Sequence, residues 1–423
     1  MMLFQTLPLV ALLALVPWFV RRRVGVLAWG ALAINLFAFG LACLWHALEP
    51  YELCSIASSL FLAVCVVLWM VPLANLRIGH SVFVAPPERI MRILAWIVIV
   101  MTVPAALYFF PYIGRIFEAD ISLTRIMNKM DNAALQVGLW HRYCVTCAYL
   151  YVVALCLFAY GCVRSVFSPL ALLLLFVGSL SYPLSGIYLY SRGMSLLYAF
   201  SLVFIGGVAV ALSPVATKRK LRRWISVAII ILAVPFTFIT AERFKGDGMH
   251  GFMEYVGGGP RFFSRIYFHD DEWLKDPTAL FLRPFSMAWD RLTDREPAHQ
   301  RMLEVYETNR DLTFTEEDMD QPTAPFVTLC GTFLAEFPKW VVLLLHALVA
   351  WGFYRYLGRC TAWMSVADVM ICGMYLVTCA MYPIGYMYAG TPGNMAWLLA
   401  IGMLLLAKGG KRQGLTKENK IGG

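Results

Sequence analysis

Charge is what this chain is shortest of: 14% of its 423 residues are charged, while 60% are hydrophobic. Soluble domains carry about a quarter charged and roughly 45–50% apolar residues, so a soluble globular enzyme is excluded. Period-two alternation of polar and apolar residues is also missing, which excludes a membrane β-barrel. Local clusters of metal-ligating residues are absent too. Most of the 11 cysteines fall inside apolar runs, where a thiol serves as small apolar filler. Cys144 and Cys147 form a CxxC, but no second pair or histidine cluster stands near it in sequence, so neither a metal centre nor a cofactor is expected. No basic stretch precedes the first apolar run. Arg21, Arg22 and Arg23 follow it, and no small-residue cleavage site is evident, so the run reads as a helix and not as a secretory signal.

What is present in abundance is long apolar runs, at a mean hydropathy of +0.68. Runs of about 18 or more residues, enough to cross ~30 Å of hydrocarbon as a helix, recur along the chain. They predict spans near 3–20, 24–47, 54–76, 91–113, 143–163, 167–190, 194–216, 224–241, 334–353, 367–389 and 394–409. The expected fold is all-α, a polytopic transmembrane helical bundle of about 11 spans with one large external loop. Its organisation is 1–241 for spans one to eight, 242–333 for the loop, 334–410 for spans nine to eleven and 411–423 for a tail.

The net charge of +9 reports sidedness, because basic residues collect on the cytoplasmic side of membrane proteins. If Arg21–Arg23 are cytoplasmic, alternation places Arg77, Arg89, Arg92, Arg164, the cluster from Lys218 to Arg223, Arg355, Arg359 and the basic tail on the same side. The N-terminus is then periplasmic and the C-terminus cytoplasmic in a bacterial inner membrane, and the long loop lies outside. No nucleic-acid partner is implied.

Two external segments hold most of the polar residues. The stretch 114–142 is amphipathic through Ile116, Phe117, Ile121, Leu123, Ile126, Met127 and Met130, and suits the membrane surface. The loop 242–333 holds 17 of the 26 acidic residues and ten basic ones, a mixed surface. Within it, Pro277 to Leu292 and Pro297 to Arg310 have helical spacing. Asp318-Met319-Asp320 has the form of a metal and nucleotide-sugar signature, but in the acidic run Glu316 to Asp320 it reads as solvated surface.

Ionisable residues buried in a membrane are costly and usually functional. The spans contain almost none; Glu336 and Asp368 lie near helix ends, which disfavours an ion-coupled transporter. Charge gathers instead where helices meet the outer surface, as suits an enzyme acting on a lipid-linked substrate. Arg192 sits in the short turn Tyr190-Ser191-Arg192-Gly193 between two spans, where a planar guanidinium fork suits phosphate or pyrophosphate. Taken alone it reads first as a snorkelling interface anchor. The second cluster is Arg243, Lys245, Asp247, His250 and Glu254, then Tyr255-Val256-Gly257-Gly258-Gly259-Pro260-Arg261 and Arg265. Consecutive glycines can offer backbone N–H groups to a close ligand, and Arg261 and Arg265 share a face if helical.

Tyr190 to Leu197, YSRGMSLL, resembles the Ser-Arg-Gly that opens a span in bacterial O-antigen polymerases, the Wzy-type oligosaccharide repeat unit polymerases, and in the related O-antigen ligases. As in those families, a basic turn, a further span and a large loop follow, here with Tyr255-Val256-Gly257-Gly258 near its start. Pro322 through Thr328 and Gly331 to Glu336-Phe337 is similar to the polymerases' Thr-x-x-Gly approach to Asp-Phe-Gly, with Glu336 for the Asp and Pro338 for the Gly. The ligases' His-Asn signature is lacking, since Gln300 follows His299.

The resemblance implies metal-independent glycosyl transfer at the periplasmic face on a fold akin to the C-type glycosyltransferases. The expected substrates are undecaprenyl-pyrophosphate-linked oligosaccharides held in the lipid bilayer, with a chain-length regulator as an open partner. Arg192 with Arg243, Arg261 or Arg265 would clamp the leaving diphosphate, with Tyr255, Gly257 and Gly258 beside the substrate. His250, Asp247 or Glu254 would take the acceptor's proton. An O-antigen ligase, a polyprenyl-phosphate-dependent C-type glycosyltransferase carrying Glu49 and Glu52 externally, and a transporter remain the other readings.

Overall fold

The structure is a computed structural model that describes residues 6–48, 55–78, 82–83, 87–117, 138–189, 191–243, 248–272, 275, 293, 328–360, 363–385 and 396–405. Sixteen helices run through these residues in chain order. They are α1 Leu7–Arg22, α2 Val26–Leu48, α3 Ile56–Met70, α4 Glu88–Phe109, α5 Leu139–Ala148, α6 Tyr151–Arg164, α7 Pro169–Ser179 and α8 Ser181–Tyr188. Then follow α9 Arg192–Leu212, α10 Val215–Arg243, α11 Gly248–Gly257, α12 Gly259–Phe268, α13 Thr328–Leu334, α14 Lys339–Cys360, α15 Val366–Ala380 and α16 Ala396–Leu405. The exceptions to helix are 3-10 turns at Val71–Asn75 and Phe110–Phe117 and a two-residue parallel bridge, β1 Val82–Phe83 with β2 Trp363–Met364.

Six of the described helical stretches are long and apolar enough to cross a membrane, or seven if the bent pair α5 and α6 counts as one. The remaining expected spans fall on α1, α10, α15 and α16. Helix α4 shows what surrounds these helices. Met91, Ala95, Val98, Thr102, Ala105 and Phe109 are buried, while Ile90, Ile93, Trp96, Ile97, Val100 and Leu107 on other faces are about as apolar and stand exposed. A helix apolar on every side needs an apolar surrounding, which lipid supplies. This is an all-α protein of the polytopic membrane class.

Local chemistry sets the helix ends. Ser55 caps α3 through a reciprocal box with Ser58, and the Ser168 hydroxyl accepts from Ala171 N–H at 3.2 Å with Pro169 at the first helical position of α7. Arg23 and Ser165 end α1 and α6 in the left-handed conformation, at φ 52° and 55°. Two expected spans are broken. The chain bends by 48° between α5 and α6 at Tyr149-Leu150, and the span expected at 167–190 is divided at Leu180 into α7 and α8. Pro183, which has no N–H for the helical ladder, falls in the first turn of α8, where that donor is not needed.

The chain divides into two compact units. Unit one comprises 1–77, 244–359 and 376–394; in it α1 packs on α2 and α3, α2 on α11, and α12 on α2, α3 and α13. Unit two comprises 78–243, 360–375 and 395–423; in it α4 packs on α5, α6, α7 and α8, and α9 on α6, α8 and α10. Gly178 of α7 sits directly against the Thr102 hydroxyl of α4, a close approach that small residues permit between membrane helices. Within 242–333, expected as a large loop with short helices, Gly248–Gly257 and Gly259–Phe268 form two helices packed in unit one. The expected helices at 277–292 and 297–310, the run 316–320, most of 114–142, and Glu49 and Glu52 lie outside the described residues.

Candidate functional site

Unit one carries the best-defined polar constellation, on α12. Gly258 starts this helix, its carbonyl accepting from the N–H groups of Arg261 and Phe262 at 3.0 and 3.2 Å, with Pro260 in the first turn. Phe262, Phe263 and Ile266 are buried and fix its inner face, and Phe263 stacks on Phe61 of α3 at 6.4 Å. Arg261 and Arg265 stand one turn apart. The Arg261 guanidinium lies 5.2 Å over the ring of Trp45, a buried residue of α2, and Arg265 is 8% exposed with its guanidinium 5.5 Å over Phe262. Arginine planes stack readily on aromatic faces.

The neighbouring charges are paired. Asp270 meets both Lys275 and Lys339, the latter at 3.7 Å, and Lys339 lies 4.3 Å over Tyr267. Burial and the Asp270 carboxylate hold the Tyr267 hydroxyl above its ordinary range.

The glycine run has a packing explanation. A Cβ on Gly257 would come within 2.8 Å of Ala42 Cα and 2.9 Å of Ala42 N, both backbone atoms of α2. One on Gly259 would collide with the Pro383 carbonyl oxygen. Protein backbone fills the space beside these two glycines, so their absent side chains let helices touch.

Thr328 explains the Thr-x-x-Gly segment. It has φ +60°, an outlying conformation for a β-branched residue. Its hydroxyl accepts from Gly331 N–H at 3.0 Å and its carbonyl from the Thr332 hydroxyl at 2.9 Å. The motif is therefore a helix cap in a strained conformation, and Thr328 Cγ2 stands 3.2 Å from where a Cβ on Gly259 would be. Such strain, of order 1–3 kcal/mol, collects at functional sites. Glu336, just beyond α13, is 3% exposed.

The other expected site residues divide between the units. Arg192 opens α9 and Arg243 closes α10 in unit two; the chain reverses at Ser213-Pro214 and the two helices pack together, so both residues stand at the same end of one hairpin. The basic cluster from Lys218 to Arg223 lies at the opposite end. His250, Glu254 and Tyr255 lie on α11 in unit one, with His250 and Glu254 one backbone turn apart. Asp247 lies outside the described residues. What sequence reasoning missed is Trp45, which no local pattern connects with Arg261.

Asp368, in the first turn of α15, is a helix cap. Its carboxylate accepts from the backbone N–H and the hydroxyl of Ser365, both at 2.7 Å, while its own N–H donates to the Ser365 hydroxyl at 3.3 Å. Asp368→Ala is expected to cost about 1–2 kcal/mol, read as a lower midpoint in thermal unfolding of the detergent-purified protein. Asp368→Asn, which keeps an acceptor oxygen, should recover most of it. Unchanged stability with lost function would make Asp368 an ion-coupling group instead.

Among the described residues, Cys65, Cys330 and His346 form a group able to hold a metal ion. Cys144 and Cys147 are buried against Phe109 and Ala105, as apolar filler would be. Compared with known proteins, the chain matches no protein family, no curated sequence and no solved structure.

Proposed function

We propose that this protein polymerises undecaprenyl-pyrophosphate-linked oligosaccharide repeat units into a surface polysaccharide at the periplasmic face of the inner membrane. The observation that carries the reading is the α12 arginine pair. Two guanidiniums stand one turn apart on this one helix, each over an aromatic ring and one of them buried. Fixed guanidiniums in a low-dielectric setting suit a polyanionic diphosphate. The YSRGMSLL resemblance, with Arg192 at a helix start, agrees with it. Eleven spans with a periplasmic N-terminus are part of the same proposal, as is a fold akin to the C-type glycosyltransferases.

In this mechanism the bond between the sugar's anomeric carbon and the pyrophosphate oxygen breaks as the acceptor hydroxyl bonds to that carbon. Undecaprenyl pyrophosphate departs with the electron pair, and Arg261 and Arg265 stabilise the charge that develops on it. The hydroxyl's proton goes to His250, Asp247 or Glu254.

Purified protein given lipid-linked repeat units in detergent, with a chelator present, is expected to yield a ladder of products differing by one repeat. Persistence of single repeats, or joining only when lipid A core is supplied, would overturn the polymerase reading. Activity lost with the chelator and restored by Mg²⁺ would replace the arginine clamp by a metal and bring Asp318 and Asp320 into the site.

A further inference from the structure

Far along the chain from one another, Cys65 of α3, Cys330 of α13 and His346 of α14 bring their ligating atoms within 4.8 Å of one another inside unit one. All three are fully buried. Tyr382, another fully buried residue, lies beside this group. The Nδ1 of His346 lies 2.9 Å from the Val342 carbonyl. A carbonyl can only accept, so Nδ1 carries the proton and Nε2 presents a lone pair. That lone pair lies 3.4 Å from the Tyr382 hydroxyl. Metal-bound histidines are commonly oriented by this kind of backbone acceptor on the second nitrogen. The rings of Trp69 and Phe333, each 5.4 Å from the imidazole, shield it.

We propose that Cys65, Cys330 and His346 bind a structural Zn²⁺ ion, with the Tyr382 hydroxyl at the fourth corner. In a tetrahedral zinc site, bonds of about 2.3 Å to sulfur and 2.0–2.1 Å to nitrogen place ligand atoms roughly 3.5–3.8 Å apart. Closing from 4.8 Å takes movements of about an ångström or less, within reach of rotamer changes. The donor set is chemically selective: thiolates with an imidazole favour zinc over hard cations such as Mg²⁺. Charge selects further. Binding releases one proton from each thiol, so two thiolates, a neutral imidazole and a divalent ion sum to zero, the least costly state in an apolar interior. The ion would join three helices.

The test uses the full-length protein in detergent after reduction of its thiols. Metal analysis is expected to find about one zinc per chain. Replacement by Co²⁺ should give a thiolate-to-cobalt charge-transfer band in the near ultraviolet with ligand-field bands of tetrahedral strength. Cys65→Ser and Cys330→Ser should each abolish the charge-transfer signature, whereas Cys156→Ser, in unit two, should leave it intact. Tyr382→Phe should retain binding and alter only the ligand-field bands. The wild-type cobalt spectrum decides the matter even if a variant fails to fold. No cobalt signature in the reduced wild type, the same signature in both cysteine variants, or a Cys65–Cys330 disulfide in the protein as isolated would overturn the site.

Discussion

Arg261→Ala is expected to lower polymer formation about 10²–10³-fold, the usual loss when one preorganised donor to a developing anion is removed. The protein itself should remain abundant and folded, since Arg261 is half-buried and its guanidinium rests on Trp45 without filling the core. Arg261→Lys should recover little. An ammonium keeps the charge but loses both the planar stack on the indole and the bidentate fork. Arg265→Gln should be comparably damaging, and the double variant little worse than either single one, because groups that act as a unit are not additive. The measurement is product length and amount on a gel, from equal quantities of purified protein. Arg192→Ala should also lower polymer formation, and Arg192→Lys should rescue little. Near-normal polymer from Arg261→Ala would remove α12 from the site.

Gly257→Ala should be strongly destabilising for so small a substitution. The added methyl would meet Ala42 Cα and N at 2.8 and 2.9 Å, and backbone atoms cannot swing aside as a side chain can. Helices α2 and α11 must separate, a form of overpacking that costs typically 1–3 kcal/mol and sometimes more. Gly40, also on α2, is the control. A Cβ there meets nothing within 4 Å, so Gly40→Ala should gain about 0.5–1 kcal/mol from helix propensity. Opposite signs in thermal unfolding of the two variants are the expected result. A neutral Gly257→Ala would mean that the helices are not in close contact and that the glycines are free to serve a ligand.

These two cases mark how far the amino-acid sequence carries. Helices were legible because lipid imposes a length and an apolar composition on each crossing segment, and those are local properties. The Ser168-Pro169 start of α7 was equally readable, since a cap and its donor lie three residues apart. The division at Leu180 and the bend at Tyr149-Leu150 were not, because apolar composition continues unbroken across both. For the site, the spacing of Arg261 and Arg265 pointed correctly to one helix face. Trp45 could not be found, since nothing near it in the chain signals that α12 returns to it. The glycine run was readable as a close approach but not as to whether ligand or backbone does the approaching. Cys65, Cys330 and His346 escaped for the same reason as Trp45: ligand spacing is informative only when the ligands share a short segment.

Unit one is assembled from the first 77 residues, a central stretch and 376–394. Asn35 of α2, fully buried, donates to the carbonyl of Cys379 at 2.7 Å, and Leu329 N–H donates to the carbonyl of Tyr382 at 2.7 Å. Asn35 therefore leaves the ribosome 344 residues ahead of its partner. Synthesis at about 5–20 residues per second leaves α1 to α3 without these partners for tens of seconds. During that interval the nascent chain must be held by lipid or by the insertion machinery. A stop codon near residue 375 would thus damage the amino-terminal helices, which it leaves intact in sequence.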